Sequence, residues 1–108
     1  MTDLQDRVAQ SADTADLHAP VPTLLLELQT LLGALCATVT GATNRGRRPF
    51  RPEHDWGNRL GELAYGVYLL ADQTGVNVGQ VVEITARQLE ARGAQVKAQS
   101  EQGWPFEE

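Results

Sequence analysis

Three observations in the sequence predict an all-α helical bundle. Trp56, Leu60, Leu63, Val67 and Leu70 follow a four-three-four-three spacing, which holds one apolar stripe on a helix and does not match the period of two of a strand. Leu24, Leu28, Leu31, Leu35 and Val39 give the same kind of stripe earlier in the chain. A compact stop-and-start signal follows at Gly75, with Asn77 as N-cap, Gln80 three residues later, and Val76 against Val81 as a staple. So short a connection makes the helices on either side antiparallel neighbours.

In chain order, residues 1–22 are expected to form a loosely docked N-terminal arm, because Leu4, Val8, Ala12 and Ala15 make only a weak pattern, closed by Pro20 and Pro22. The first core helix is expected from Thr23 to Thr40. Leu25, Leu32 and Cys36 widen its apolar face and Glu27 is its only charge, so it should be mostly buried, with Cys36 a small core residue. Gly41 is the expected stop. Ala42 to Pro52 reads as a loop punctuated by Gly46, Pro49 and Pro52, carrying Arg45, Arg47, Arg48 and Arg51 around Phe50.

The second core helix is expected from Glu53 to Thr74, begun by Pro52 and by acids that complement the helix dipole. Beside its apolar stripe run Gly57, Gly61 and Ala64, small residues that would let another helix approach closely. Asp55, Arg59 and Glu62 form a polar line at spacings of four and three. The third core helix is expected from Val78 to about Arg92, with Val78, Val81, Val82, Thr85 and Leu89 inward and a bend or fraying at Gly93. Gly103-Trp104-Pro105-Phe106 is aromatic enough to fill a groove, on this chain or a partner.

A chain of 108 residues makes one short domain whose modest core has much to gain from self-association. The broad leucine face points the same way, so the core helices are expected to be completed by dimerisation or a higher homo-oligomer. No run reads as a membrane span and the N-terminus lacks the order of a signal peptide, so no membrane contact and a cytoplasmic location are expected. A net charge of −5 argues against nucleic acid, whose binding depends on neutralising phosphates. The lone Cys36 excludes an internal disulfide, and no Cys/His set has zinc-ligand spacing. The arginines of the loop are the one basic patch; they either are simply solvated or pair bidentately with phosphate.

On these residues the chain resembles a known family. LGELAYGVYLLADQTGVNV is similar to a segment of the MazG-like all-α nucleoside triphosphate pyrophosphohydrolases, where a Glu-Leu-x-Asp helix runs into an apolar stretch and an Ala-Asp-x-x-Gly-Val/Ile-Asp/Asn-Leu turn. LLLELQTLLGAL resembles their first core helix. The resemblance covers roughly Thr23 to Arg92, and makes 23–93 a MazG-like helical domain and 94–108 a C-terminal extension.

What the resemblance implies is magnesium held by a Glu-x-x-Glu and a Glu-x-x-Asp motif, and hydrolysis of a nucleoside triphosphate to the monophosphate and pyrophosphate in nucleotide-pool housecleaning. Carried over, the first motif falls on Glu27 and Thr30 and the second on Arg59 and Glu62. Glu27 and Glu62 become the catalytic residues and metal ligands, with Asp55 (or Asn58 beside it) supplying a replacement oxygen. Arg47, Arg48, Arg51 and Arg59 become the substrate-binding residues. Two of the four acids are replaced, so the metal site is degenerate and activity is expected to be weak or lost. The alternative is a noncatalytic helical module that binds a nucleotide or another protein.

Overall fold

The computed structural model describes residues 3–101 and is all-helical: α1 (Asp3–Ala15), α2 (Val21–Ala42), α3 (Trp56–Gln73) and α4 (Val78–Glu101). The aromatic segment Gly103–Phe106 lies outside the described residues. The chain divides into two compact units, Met1–Val76 with the first three helices and Asn77–Glu108 with α4.

In the first unit every helix stops in the same way. The residue past the cap turns left-handed at Asp16 (φ 56), Asn44 (φ 49) and Gly75 (φ 74). Behind it, Leu17 N–H reaches Ala12 O, Arg45 N–H reaches Thr40 O and Val76 N–H reaches Ala71 O, each at 2.9 Å. These are Schellman stops, and Asp and Asn are among the few side chains that tolerate the left-handed region. The stop of α2 is therefore Asn44 rather than Gly41, which continues the helix.

Packing is centred on α3, which touches both α1 and α2. Leu24 near the start of α2 clusters with Leu69 near the end of α3, while Leu28 and Leu31 lie over Gly66, so α2 and α3 run antiparallel. Residues expected as a loose arm form α1, which adds Val8 and Ala12 to the same core. Its Gln5 is fully buried and donates from Nε2 to Val76 O at 2.7 Å, satisfying the carbonyl just past the Schellman turn.

Several sequence expectations are corrected. Only Leu24 and Leu35 of α2 are buried, and Leu25, Leu26, Leu32 and Cys36 are exposed, because α3, with α1 at Leu24, covers only one side of the helix. On α3 the buried residues are Leu69 and Ala71, with Tyr65, Tyr68 and Leu70 packed beside them, whereas Leu60 and Val67 of the expected stripe are exposed. The close approach is made at Gly66, where an added Cβ would come within 2.6 Å of Leu28 Cδ2; Gly57 and Gly61 face open space. Finally, α2 is 22 residues long with a mean hydropathy of 1.5 over its best window, which is long and apolar enough to cross a membrane, contrary to the expectation of no such segment.

Among the described residues the second unit is one helix, α4. Asn77 Oδ1 accepts the Gln80 N–H at 3.2 Å, as the N-cap pattern requires. Arg87 Nε meets Glu83 Oε1 at 3.0 Å, an i,i+4 pair. The helix runs unbroken through Gly93. Val81, Val82 and Leu89, expected inward, are exposed.

Candidate functional site

A cleft of about 670 Å³ opens between α2 and α3. From α2 it takes Leu24, Glu27, Leu28 and Leu31, which share one face at spacings of three and four. Two adjacent rows of α3 form the other wall: Gly57, Gly61, Tyr65 and Leu69 in one, Asn58, Glu62 and Gly66 in the next, each row stepping by four. Leu17, from the connection between α1 and α2, completes the lining. Contact at Gly66 sets the floor, and the missing side chains at Gly57 and Gly61 keep the opening clear.

The cleft is divided by polarity. Leu24 and Leu69, 3% and 4% exposed, lie at its base, and Glu27, Asn58 and Glu62 sit exposed at its rim. Glu27 and Glu62, carried by different helices and 35 positions apart in sequence, both line this cavity. Among the described residues, no lysine, arginine or histidine lines it.

The other site residues lie elsewhere. Arg59 Nε contacts Asp55 Oδ2 at 3.1 Å, an i,i+4 ion pair in which both side chains are about two-fifths exposed (41% and 38%). Neither lines the cleft, and the same carboxylate makes no capping bond to α3. Thr30 Oγ1 donates to Leu26 O at 3.1 Å, the back-bond of a hydroxyl within a helix. Arg48 and Arg51 line a second cavity of about 560 Å³ with Glu53 and the end of α2, and this cavity shares no residue with the first.

The arginine loop has a defined backbone. Thr43 Oγ1 donates to Val39 O at 2.8 Å and accepts the Gly46 N–H at 3.0 Å, while the Thr43 carbonyl accepts from Arg47 and Arg48 at 2.8 and 3.0 Å. Phe50 then meets the edge of Trp56 with ring centroids 5.0 Å apart, tying the loop to the start of α3.

Sequence reasoning did not find the role of α1 in shaping the cleft. Tyr65, a lining residue, shares a 2.6 Å hydrogen bond with Ser11 of α1. Next to Leu17, His18 is held at both ring nitrogens: Nδ1 to Gln73 Oε1 at 3.0 Å and Nε2 to Asp13 Oδ1 at 2.7 Å. Gln73 in turn donates to Ala19 O at 2.6 Å. Two acceptors favour the doubly protonated ring, so the His18 pKa is raised, chiefly by the Gln73 hydrogen bond and further by Asp13, against a desolvation that lowers it. The signal for these contacts in the sequence is only a polar residue recurring on an amphipathic face.

Among the described residues no three acids, histidines or cysteines come together as a metal-binding group. Magnesium is commonly held by one or two carboxylates together with substrate phosphates and water. The cleft offers two carboxylates, Glu27 and Glu62, while Asp55, paired with Arg59, does not line it. Comparison with protein-family models, curated proteins and solved structures returned no match.

Proposed function

We propose that this chain is a divergent MazG-like nucleoside triphosphate pyrophosphohydrolase with a reduced magnesium site and weak activity. One observation carries the reading: the two family acids that the chain retains, Glu27 and Glu62, line the same cleft. A bound magnesium ion would supply neutralisation of the triphosphate and orientation of its oxygens for attack by water. Glu27 and Glu62, on opposite walls, would hold that ion, and the Asn58 amide offers a neutral donor and acceptor on the same wall as Glu62. Arg47, Arg48 and Arg51 remain candidates for the distal phosphates only through movement of the loop, since the cavity of Arg48 and Arg51 is separate. In the same reading a second copy of the chain covers the exposed Leu25, Leu26 and Leu32 of α2.

Pyrophosphate release from nucleoside triphosphates, with and without magnesium, tests the proposal. Slow magnesium-dependent release is expected, abolished by Glu62→Gln and increased by Arg59→Glu combined with Thr30→Glu. Release that ignores magnesium, or that survives Glu62→Gln, would end it. A second reading, a noncatalytic helical module, is favoured by the pairing of Arg59 with Asp55, which leaves a cation where the family places a metal ligand. It predicts no turnover in any of these variants.

A further inference from the structure

We propose that the α2–α3 cleft binds an organic cation with an apolar body, an alkyl- or arylammonium, without any metal. This goes beyond the pyrophosphohydrolase reading and does not depend on it. Two properties of the cleft select such a ligand. Its base is apolar, built from Leu24, Leu28, Leu31, Leu69 and the ring of Tyr65, and its rim carries Glu27 and Glu62 with no basic residue to balance them.

Each simpler ligand satisfies only half of this surface. An anion meets two carboxylates and is repelled unless a metal intervenes. A neutral apolar molecule covers the leucines and leaves the rim charge uncompensated. A hydrophilic dication answers the rim but leaves the base wet. An ammonium head on a hydrocarbon body gains at both ends. Tyr65 is fixed in the lining by its hydroxyl, which is bound to Ser11 at 2.6 Å. The volume of about 670 Å³ lies within the range of small-molecule sites, roughly 300–1,000 Å³. Because the ammonium head and magnesium use the same two carboxylates, they compete.

Calorimetric titration of the full chain with butyl-, hexyl- and octylammonium tests the proposal, with hexanoate, hexanol and putrescine as controls. Affinity should rise about fourfold for each added methylene until the base is filled. Hexanoate and putrescine should bind at least about tenfold more weakly than hexylammonium. Glu27→Gln and Glu62→Gln should each weaken hexylammonium roughly threefold, as expected for partly solvated charge pairs, with helicity unchanged by circular dichroism. Glu53→Gln, which removes a carboxylate that does not line the cleft, should leave binding as it was. Magnesium at millimolar concentration should weaken it. No binding at millimolar hexylammonium overturns the proposal, as does equal binding of hexanoate or putrescine, or indifference to the paired Glu27→Gln/Glu62→Gln change. Pyrophosphate release is read in a separate assay, so either idea fails without the other.

Discussion

Replacing Gly66 by alanine isolates the contact on which the α2–α3 arrangement depends. In a helix interior, alanine is favoured over glycine by about 1 kcal/mol. At Gly61, where an added Cβ meets nothing within 4 Å, that gain should appear undiminished. At Gly66 the new methyl would meet Leu28 Cδ2 at 2.6 Å and Leu28 Cγ at 3.5 Å, with Leu31 Cδ1 at 3.7 Å. Leu28 is only half-buried and can turn partly aside, so the overpacking cost belongs at the lower end of about 1–3 kcal/mol. Gly66→Ala should therefore be neutral or lose up to about 2 kcal/mol, once the helix gain is counted. The gap between the two variants is the overpacking cost itself. For a unit of this size it corresponds to a difference in Tm of at least about 4 °C, readable by thermal melts followed at 222 nm. Equal stabilisation by both alanines would refute the close approach of α2 to α3 at Gly66.

The docking of α1 gives two more tests. Gln5→Ala removes a fully buried side chain and its bond to the Val76 carbonyl and should cost about 1–3 kcal/mol, measured by urea denaturation; a loss under 0.5 kcal/mol would mean that α1 contributes little to the unit. His18 acts through pH: its folded pKa is raised, so its stabilising contribution is complete below about pH 6.5 and is lost as pH rises through the folded value. The difference in thermal stability between the wild type and His18→Ala should shrink on going from about pH 6 to about pH 8.5, and a difference constant across that interval would contradict the paired acceptors Gln73 and Asp13.

Much of the helical framework was legible in the sequence, for reasons that differ by element. The inward face of α2 was correctly read at Leu24 and Leu35, with Leu28, Leu31 and Val39 half-buried, because these five keep a helical spacing of three and four, whereas Leu25 and Leu32, read as widening it, are exposed. The start of α4 at Asn77 was legible because a cap is a local event, settled by a side chain and a backbone N–H three residues away. The face of α3 was not. Apolar side chains occupy most sides of this helix, so periodicity alone does not choose among them, and the choice falls to Gly66, which a tertiary contact selects. The helical pattern of α1 was legible at Val8 and Ala12 but its docking was not, because the fully buried Gln5 is a polar side chain bonded to a carbonyl far along the chain. The pairing of Glu27 with Glu62 came from resemblance rather than spacing, and only helix packing puts both on one cleft.

The bond between Gln5 and Val76 also orders events during synthesis. The helix that needs this bond is made first, and its acceptor follows 71 residues later. At about 5–20 residues per second, α1 waits roughly 4–14 seconds on the ribosome before its partner exists. Leu24 and Leu69, against which Val8 and Ala12 pack, span the same interval, so these side chains reach full burial only once the end of α3 has been made. Docking of α1 thus closes a contact that runs almost the whole length of its unit, from Gln5 to Val76.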